Sequence, residues 1–101
     1  MSSGVTRTAF GAFDGTGALL TVEAEIGFRP RVVRLVSGGG LVTANWQEGM
    51  DEGRGFKRVT AGTMSQIAAS AGITPTDKGF TLGADTDLNV SGERVYWEAS
   101  E

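Results

Sequence analysis

Short apolar runs alternate with glycine-rich turns along this chain at roughly 8–12-residue spacing, a pattern that leads to a β-sandwich or barrel. Leu20, Val22, Ala24 and Ile26 alternate with Thr21, Glu23 and Glu25, the period of a strand with one wet face. Ahead of them Val5 to Phe13 reads as a strand rich in Thr and Phe. Asp14-Gly15-Thr16-Gly17 supplies the turn of a hairpin between the two. Phe28-Arg29-Pro30 ends the second strand, because proline donates nothing to a ladder and restricts the residue before it.

Arg31 to Ser37, with Val32, Val33, Leu35 and Val36, is apolar on both faces and reads as a central strand. Leu41 to Gln47 follows the Gly38-Gly39-Gly40 turn, with Val42, Ala44 and Trp46 on one face. Glu48 to Gly55 has no period and reads as a surface loop. Phe56 to Val59 fits a short strand. Met64, Ile67, Ala68 and Ala71 stand at helical spacing, with Thr63 as N-cap and Gly72 as C-cap. The same run fits a strand equally well, so residues 63–71 admit both. Thr76 to Gly79 is a turn, Phe80 to Leu82 a short strand and Gly83 to Gly92 a polar loop. Arg94 to Ala99 is the closing strand, with Val95 and Trp97 on one face and Tyr96 on the other. The expected fold is a compact antiparallel β-sandwich or barrel of about seven or eight short strands, one domain over residues 1–101 with a short N-terminal arm at about 1–5.

Composition narrows function more than it narrows fold. The chain has neither Cys nor His, which removes thiolate chemistry, disulfides, the commonest metal ligand and the commonest general base. A net charge of −3 gives no reason to expect nucleic acid or an anionic membrane as partner. No apolar h-region follows Met1-Ser2-Ser3-Gly4, so cytoplasmic synthesis without a secretory signal is expected.

Asp85-Thr86-Asp87-Leu88-Asn89 begins as a calcium loop does, but Val90 stands where the sharp turn needs Gly and Tyr96 where a bidentate Glu is needed. It reads as an Asx-rich loop, and no metal or other cofactor is expected. Gly38-Gly39-Gly40 lacks the Lys and Ser/Thr of a phosphate loop. Asn89-Val90-Ser91 matches a glycosylation acceptor only by chance in a chain without a secretory signal. Lys57 and Lys78, the only lysines, read as surface residues. With no convergent acid, base or nucleophile, the chain is not expected to be an enzyme. Trp46 and Trp97 fall on the apolar phase of their strands and are expected in the core, whereas Tyr96 faces outward as an interface candidate.

Charge is unevenly placed. Arg29, Arg31, Arg34, Arg54, Lys57 and Arg58 make the middle basic, while Asp77, Asp85, Asp87, Glu93, Glu98 and Glu101 make the last quarter acidic. These charges read first as a solvated surface; the sharper alternative is that one subunit's basic middle meets the next subunit's acidic end, a head-to-tail contact able to close into a ring.

Ile26-Gly27-Phe28-Arg29-Pro30-Arg31-Val32-Val33 resembles the GF-x-P-x-x-V opening of small β modules of tailed bacteriophages. Gly72-Ile73-Thr74-Pro75, then Lys78 to Asp85, then Asn89 to Ala99 are similar to the closing half of those modules. The resemblance implies a virion structural protein without an active site. At this length, and without a repetitive stalk, it implies a decoration (cement) protein on the outer surface of the head rather than a whole tail fibre. The implied partners are the major capsid protein and further copies of itself, most naturally as a homotrimer. The alternative is a receptor- or carbohydrate-binding module of a tail tip. Contact candidates are Arg29, Arg31, Arg54, Arg58, Tyr96, Asp85 and Asp87, together with the arm from Met1 to Thr6.

Overall fold

In a computed structural model, residues 7–24, 26–38, 42–59, 62 and 64–101 are described, and they form two antiparallel sheets. The strands are β1 (Thr8–Asp14), β2 (Leu20–Val22), β3 (Val32–Ser37), β4 (Val42–Gln47), β5 (Phe56–Arg58), β6 (Met64–Gln66), β7 (Ile73–Thr76), β8 (Gly79–Leu82) and β9 (Arg94–Ser100). The large sheet has the order β1-β9-β3-β4-β5-β6 and the small sheet β2-β8-β7. Of the sandwich or barrel expected from the turn spacing, the sandwich is the fold observed, with nine strands among the described residues.

Period-2 alternation places the core. Val33, Leu35, Val42, Ala44, Trp46, Val95, Trp97 and Ala99 are buried on the inner face of the large sheet. They meet Val22, Phe80, Leu82 and Ile73 of the small sheet, with Ile67 and Leu88 closing the flanks. Phe80 and Trp97 join the layers edge to face, ring centroids 6.0 Å apart at 74°. Both tryptophans are core residues. The Trp46 indole N–H donates to the Asp51 carbonyl at 3.1 Å.

The expected β1–β2 hairpin does not form. β1 pairs with β9, and β2 pairs with β8 in the other sheet. The turn residues Asp14 to Gly17 instead carry the chain from one sheet to the other. Gly15 N–H donates to Glu93 O at 2.8 Å, and Gly92 N–H donates to Gly15 O at 3.0 Å, which ties the crossing to the distant 89–93 loop. The buried side chain of Asn89 completes that corner. Its Oδ1 accepts from the N–H groups of Thr16 (2.7 Å) and Gly17 (3.2 Å), and its Nδ2 donates to Ala18 O (2.5 Å) and Gly83 O (3.0 Å). Asn89→Ala leaves these backbone groups without the partner that saturates them, so a loss of about 2–4 kcal/mol is expected in chemical denaturation. An unchanged midpoint would show that water substitutes for the amide.

Other boundaries moved for identifiable reasons. β2 stops at Val22, because Glu23 O accepts from Ile26 N–H in a turn; Ala24 is exposed, and Glu25 lies outside the described residues. β7 is a strand that the sequence pattern did not show, because it contains Pro75. Its place at the edge of the small sheet puts Pro75 where no ladder donor is needed, while Ile73 on the same side exchanges hydrogen bonds with Gly53 and Arg54. Within 63–71 the strand reading holds for Met64–Gln66, and no helix occurs among the described residues. Of the supposed helical stripe Ile67 is buried in the core and Ala71 packs against it, while Met64 is exposed. Thr63, the arm Met1 to Thr6 and most of the Gly38–Gly40 turn lie outside the described residues. β3 is central, flanked by β9 and β4, yet only its Val33, Leu35 and Ser37 face is buried; Val36 looks outward.

Candidate interaction face

The inner side of the large sheet is spent on the core, and its outer side is open. Cross-strand register arranges that outer side into rows. One row runs Ala12, Tyr96, Val36, Thr43, Arg58, Met64 across the strands. The next runs Phe10, Glu98, Arg34, Asn45, Phe56, Gln66. Phe10 (69% exposed), Tyr96 (55%) and Val36 (45%) therefore lie close together on β1, β9 and β3, and Met64 (57%) stands at the far edge. A depression of about 290 Å³ lies among Phe10, Arg34, Val36, Tyr96 and Glu98, and another of about 410 Å³ among Arg34, Val36, Thr43 and Asn45. Two ion pairs cross the strands on this face: Arg34 lies 3.8 Å from Glu98, and Arg94 Nε donates to Asp14 at 2.8 Å. Large exposed apolar side chains gathered on one sheet face, with two cross-strand ion pairs between them, make a surface suited to contact with another macromolecule.

The contact candidates divide between this face and elsewhere. Tyr96 and Arg58 lie on it. Arg29 and Arg31 stand at one end of the sandwich, over a cleft of about 340 Å³ whose lining includes Trp46, Glu48, Met50 and Glu52. There Arg29 reaches Glu52 at 3.1 Å and Asp77 at 3.9 Å, and Arg31 reaches Glu48 at 3.3 Å. Arg54 is half-buried and bridges to Ile73 through its backbone. Among the described residues, Arg54 and Arg58 form no ion pair.

Asp85 and Asp87 belong to a different structure altogether. Asp85 is buried at 6% exposure, so it is not a surface contact. Its Oδ2 accepts from the N–H groups of Asp87 (3.0 Å) and Leu88 (3.2 Å), and its Oδ1 accepts from Lys57 Nζ at 2.8 Å. Lys57 also donates to Asp87 Oδ2 at 2.7 Å. Lys57, read as a surface residue, is opposite Ala44 on the inward phase of β5 and only 13% exposed. Burial pulls the Lys57 ammonium toward deprotonation, but its hydrogen bonds to Asp85 and Asp87 and their charges outweigh this and hold it above the ordinary lysine value. The loop that begins like a calcium site thus takes its cation from the protein itself. The sequence held no local signal for this, because an Asp-x-Asp-x-Asn string does not say which of the 9 Lys and Arg residues will meet it. Among the described residues no group of three or more acidic side chains is placed to hold a metal ion.

Several of the charges that a head-to-tail contact would use meet within one chain, Arg29 with Asp77, Arg34 with Glu98 and Lys57 with Asp85 and Asp87. Basic middle and acidic end are brought together because β3 pairs with β9 and β5 faces the 83–92 loop.

Compared with models of protein families, with characterised proteins and with solved structures, the chain matches none.

Proposed function

We propose that this protein is a structural binding module that decorates the outer surface of a phage head, laying the open face of its large sheet against the capsid. The observation that carries the reading is the composition of that face, with Phe10, Val36 and Tyr96 exposed beside cross-strand ion pairs. A shell offers broad, shallow ground, and many copies of a small module gain from avidity what a single contact lacks. The resemblance of residues 26–33 and of the closing half to tailed-phage modules agrees with this reading. The aromatic in the end cleft, Trp46, is buried rather than displayed, so that cleft lacks the exposed ring platform that favours a sugar.

Co-sedimentation of the purified protein with expanded and unexpanded capsids tests the proposal. Saturable binding to the expanded shell is expected, because decoration buries surface that exists only after expansion. Tyr96→Ala and Arg58→Glu are expected to weaken binding, Tyr96→Ala by about 30-fold if it is the central aromatic contact. Neither touches the core, so both proteins stay folded. Full occupancy by both variants overturns the choice of face. Absence of binding to either shell, with retention on host glycans instead, transfers the assignment to a tail-tip receptor module.

A further inference from the structure

The free edge of β1 carries an interaction surface of its own. Glu101 N–H donates to Arg7 O and Gly15 N–H donates to Glu93 O, so the odd-numbered residues of this stretch turn their backbone groups toward β9. The N–H and C=O groups of Thr8, Phe10, Ala12 and Asp14 therefore point away from the sheet, and no described residue pairs with them. Natural edge strands are protected by proline, lysine, a bulge or brevity. β1 has none of these: it is Thr-Ala-Phe-Gly-Ala-Phe-Asp, regularly paired over all 7 residues.

We infer that β1 pairs antiparallel with β1 of a second copy, about a two-fold axis at Gly11. The register follows from the outward groups. Only pairing with Gly11 opposite Gly11 sets Thr8 against Asp14 and Phe10 against Ala12, so that every outward N–H and C=O finds a partner. Gly11 then occupies a narrow, non-hydrogen-bonded pair at the centre. Side chains agree with this register. The exposed Phe10 of each copy lies beside Ala12 of the other, within diagonal reach of the other Phe10. Thr8 places its hydroxyl opposite the Asp14 carboxylate of the second copy, and no like charges are set opposite one another. The Arg7 end of one strand adjoins the Asp14 end of the other, a complementary arrangement that an isologous contact makes twice. The result is a continuous sheet through two molecules, with the open face extended across the junction. This inference is independent of the capsid reading, since it concerns the protein in free solution.

Sedimentation velocity over a concentration series, with Ala12→Pro and Phe10→Lys alongside the natural sequence, tests it. The Ala12 N–H is unused within the monomer, so Ala12→Pro leaves the β1–β9 ladder intact while removing a donor from the two-fold ladder twice. A dimer is expected for the natural sequence, with its dissociation constant raised about 30-fold or more in Ala12→Pro. Phe10→Lys keeps every backbone donor and brings two cations together at the axis, so it also yields monomer. Its far-ultraviolet circular dichroism is expected to match the parent, which secures the test if Ala12→Pro fails to fold. A monomer or a trimer for the natural sequence overturns the inference, as does a dimer that survives Phe10→Lys.

Discussion

Trp97→Ala is expected to destabilise the fold by about 3–5 kcal/mol in urea denaturation, the range for removing a large buried aromatic. Trp97 lies on β9, the strand between β1 and β3, and its indole packs edge-on against Phe80 of the small sheet. It also fixes what β1 can be. A Cβ placed on Gly11 would lie 2.5 to 2.8 Å from the ring atoms Cζ2, Cε2 and Nε1, so the indole fills the space that a side chain on β1 would need. Glycine at position 11 is a consequence of close approach, not of a turn. Removing the ring therefore opens a void that touches both sheets and the edge strand, with little nearby that can collapse into it. The indole N–H is buried without a hydrogen-bond partner, so Trp97→Phe, which sheds that donor, is expected to cost less than Trp97→Ala. A loss under about 1 kcal/mol for Trp97→Ala would mean the ring contributes no core packing.

Lys57→Ala is expected to cost about 3 kcal/mol or more, because it leaves Asp85 charged and buried with its cation gone. Lys57→Met combined with Asp85→Asn keeps a side-chain oxygen for the Asp87 and Leu88 N–H groups but removes both charges, and is expected to recover most of that loss. A double variant no more stable than Lys57→Ala would refute the buried-charge account. The pH dependence has a definite sign. Lys57 holds its proton more tightly in the folded chain than in the unfolded one. Its contribution is therefore complete below the unfolded lysine value of about 10.4 and disappears as pH rises through the higher folded value. Above that unfolded value, stability of the natural protein should fall more steeply with pH than that of the double variant. Parallel curves would show that the ammonium gains nothing from the two carboxylates.

The same lysine shows where sequence reasoning stops. Phe56-Lys57-Arg58 has no apolar alternation to say which side chain faces inward, and the answer came from pairing with β4, which sets Lys57 opposite the inward Ala44. By contrast Val42, Ala44 and Trp46, or Val95 and Trp97, declare their face by alternation alone. Tyr96 was legible as an outward residue for the same reason. Its neighbours Phe10 and Val36 were not, because they come from strands far apart in sequence. An interaction face made from single residues on several strands leaves no local pattern.

Legible in the sequence were an antiparallel β fold, sandwich or barrel, the core residues of its stronger strands, and the inward placing of both tryptophans. Those features depend on local period, turn chemistry and the cost of wetting apolar surface, all written within a few neighbouring residues. Long-range pairing alone sends β1 and β2 into different sheets, turns Lys57 inward to Asp85 and Asp87, and gathers Phe10, Val36 and Tyr96 on one open face. Each of these is a matter of which distant strand lies alongside which. That choice is made by the packing of the whole core and by long-range partners such as Asn89, with no imprint at the position it governs.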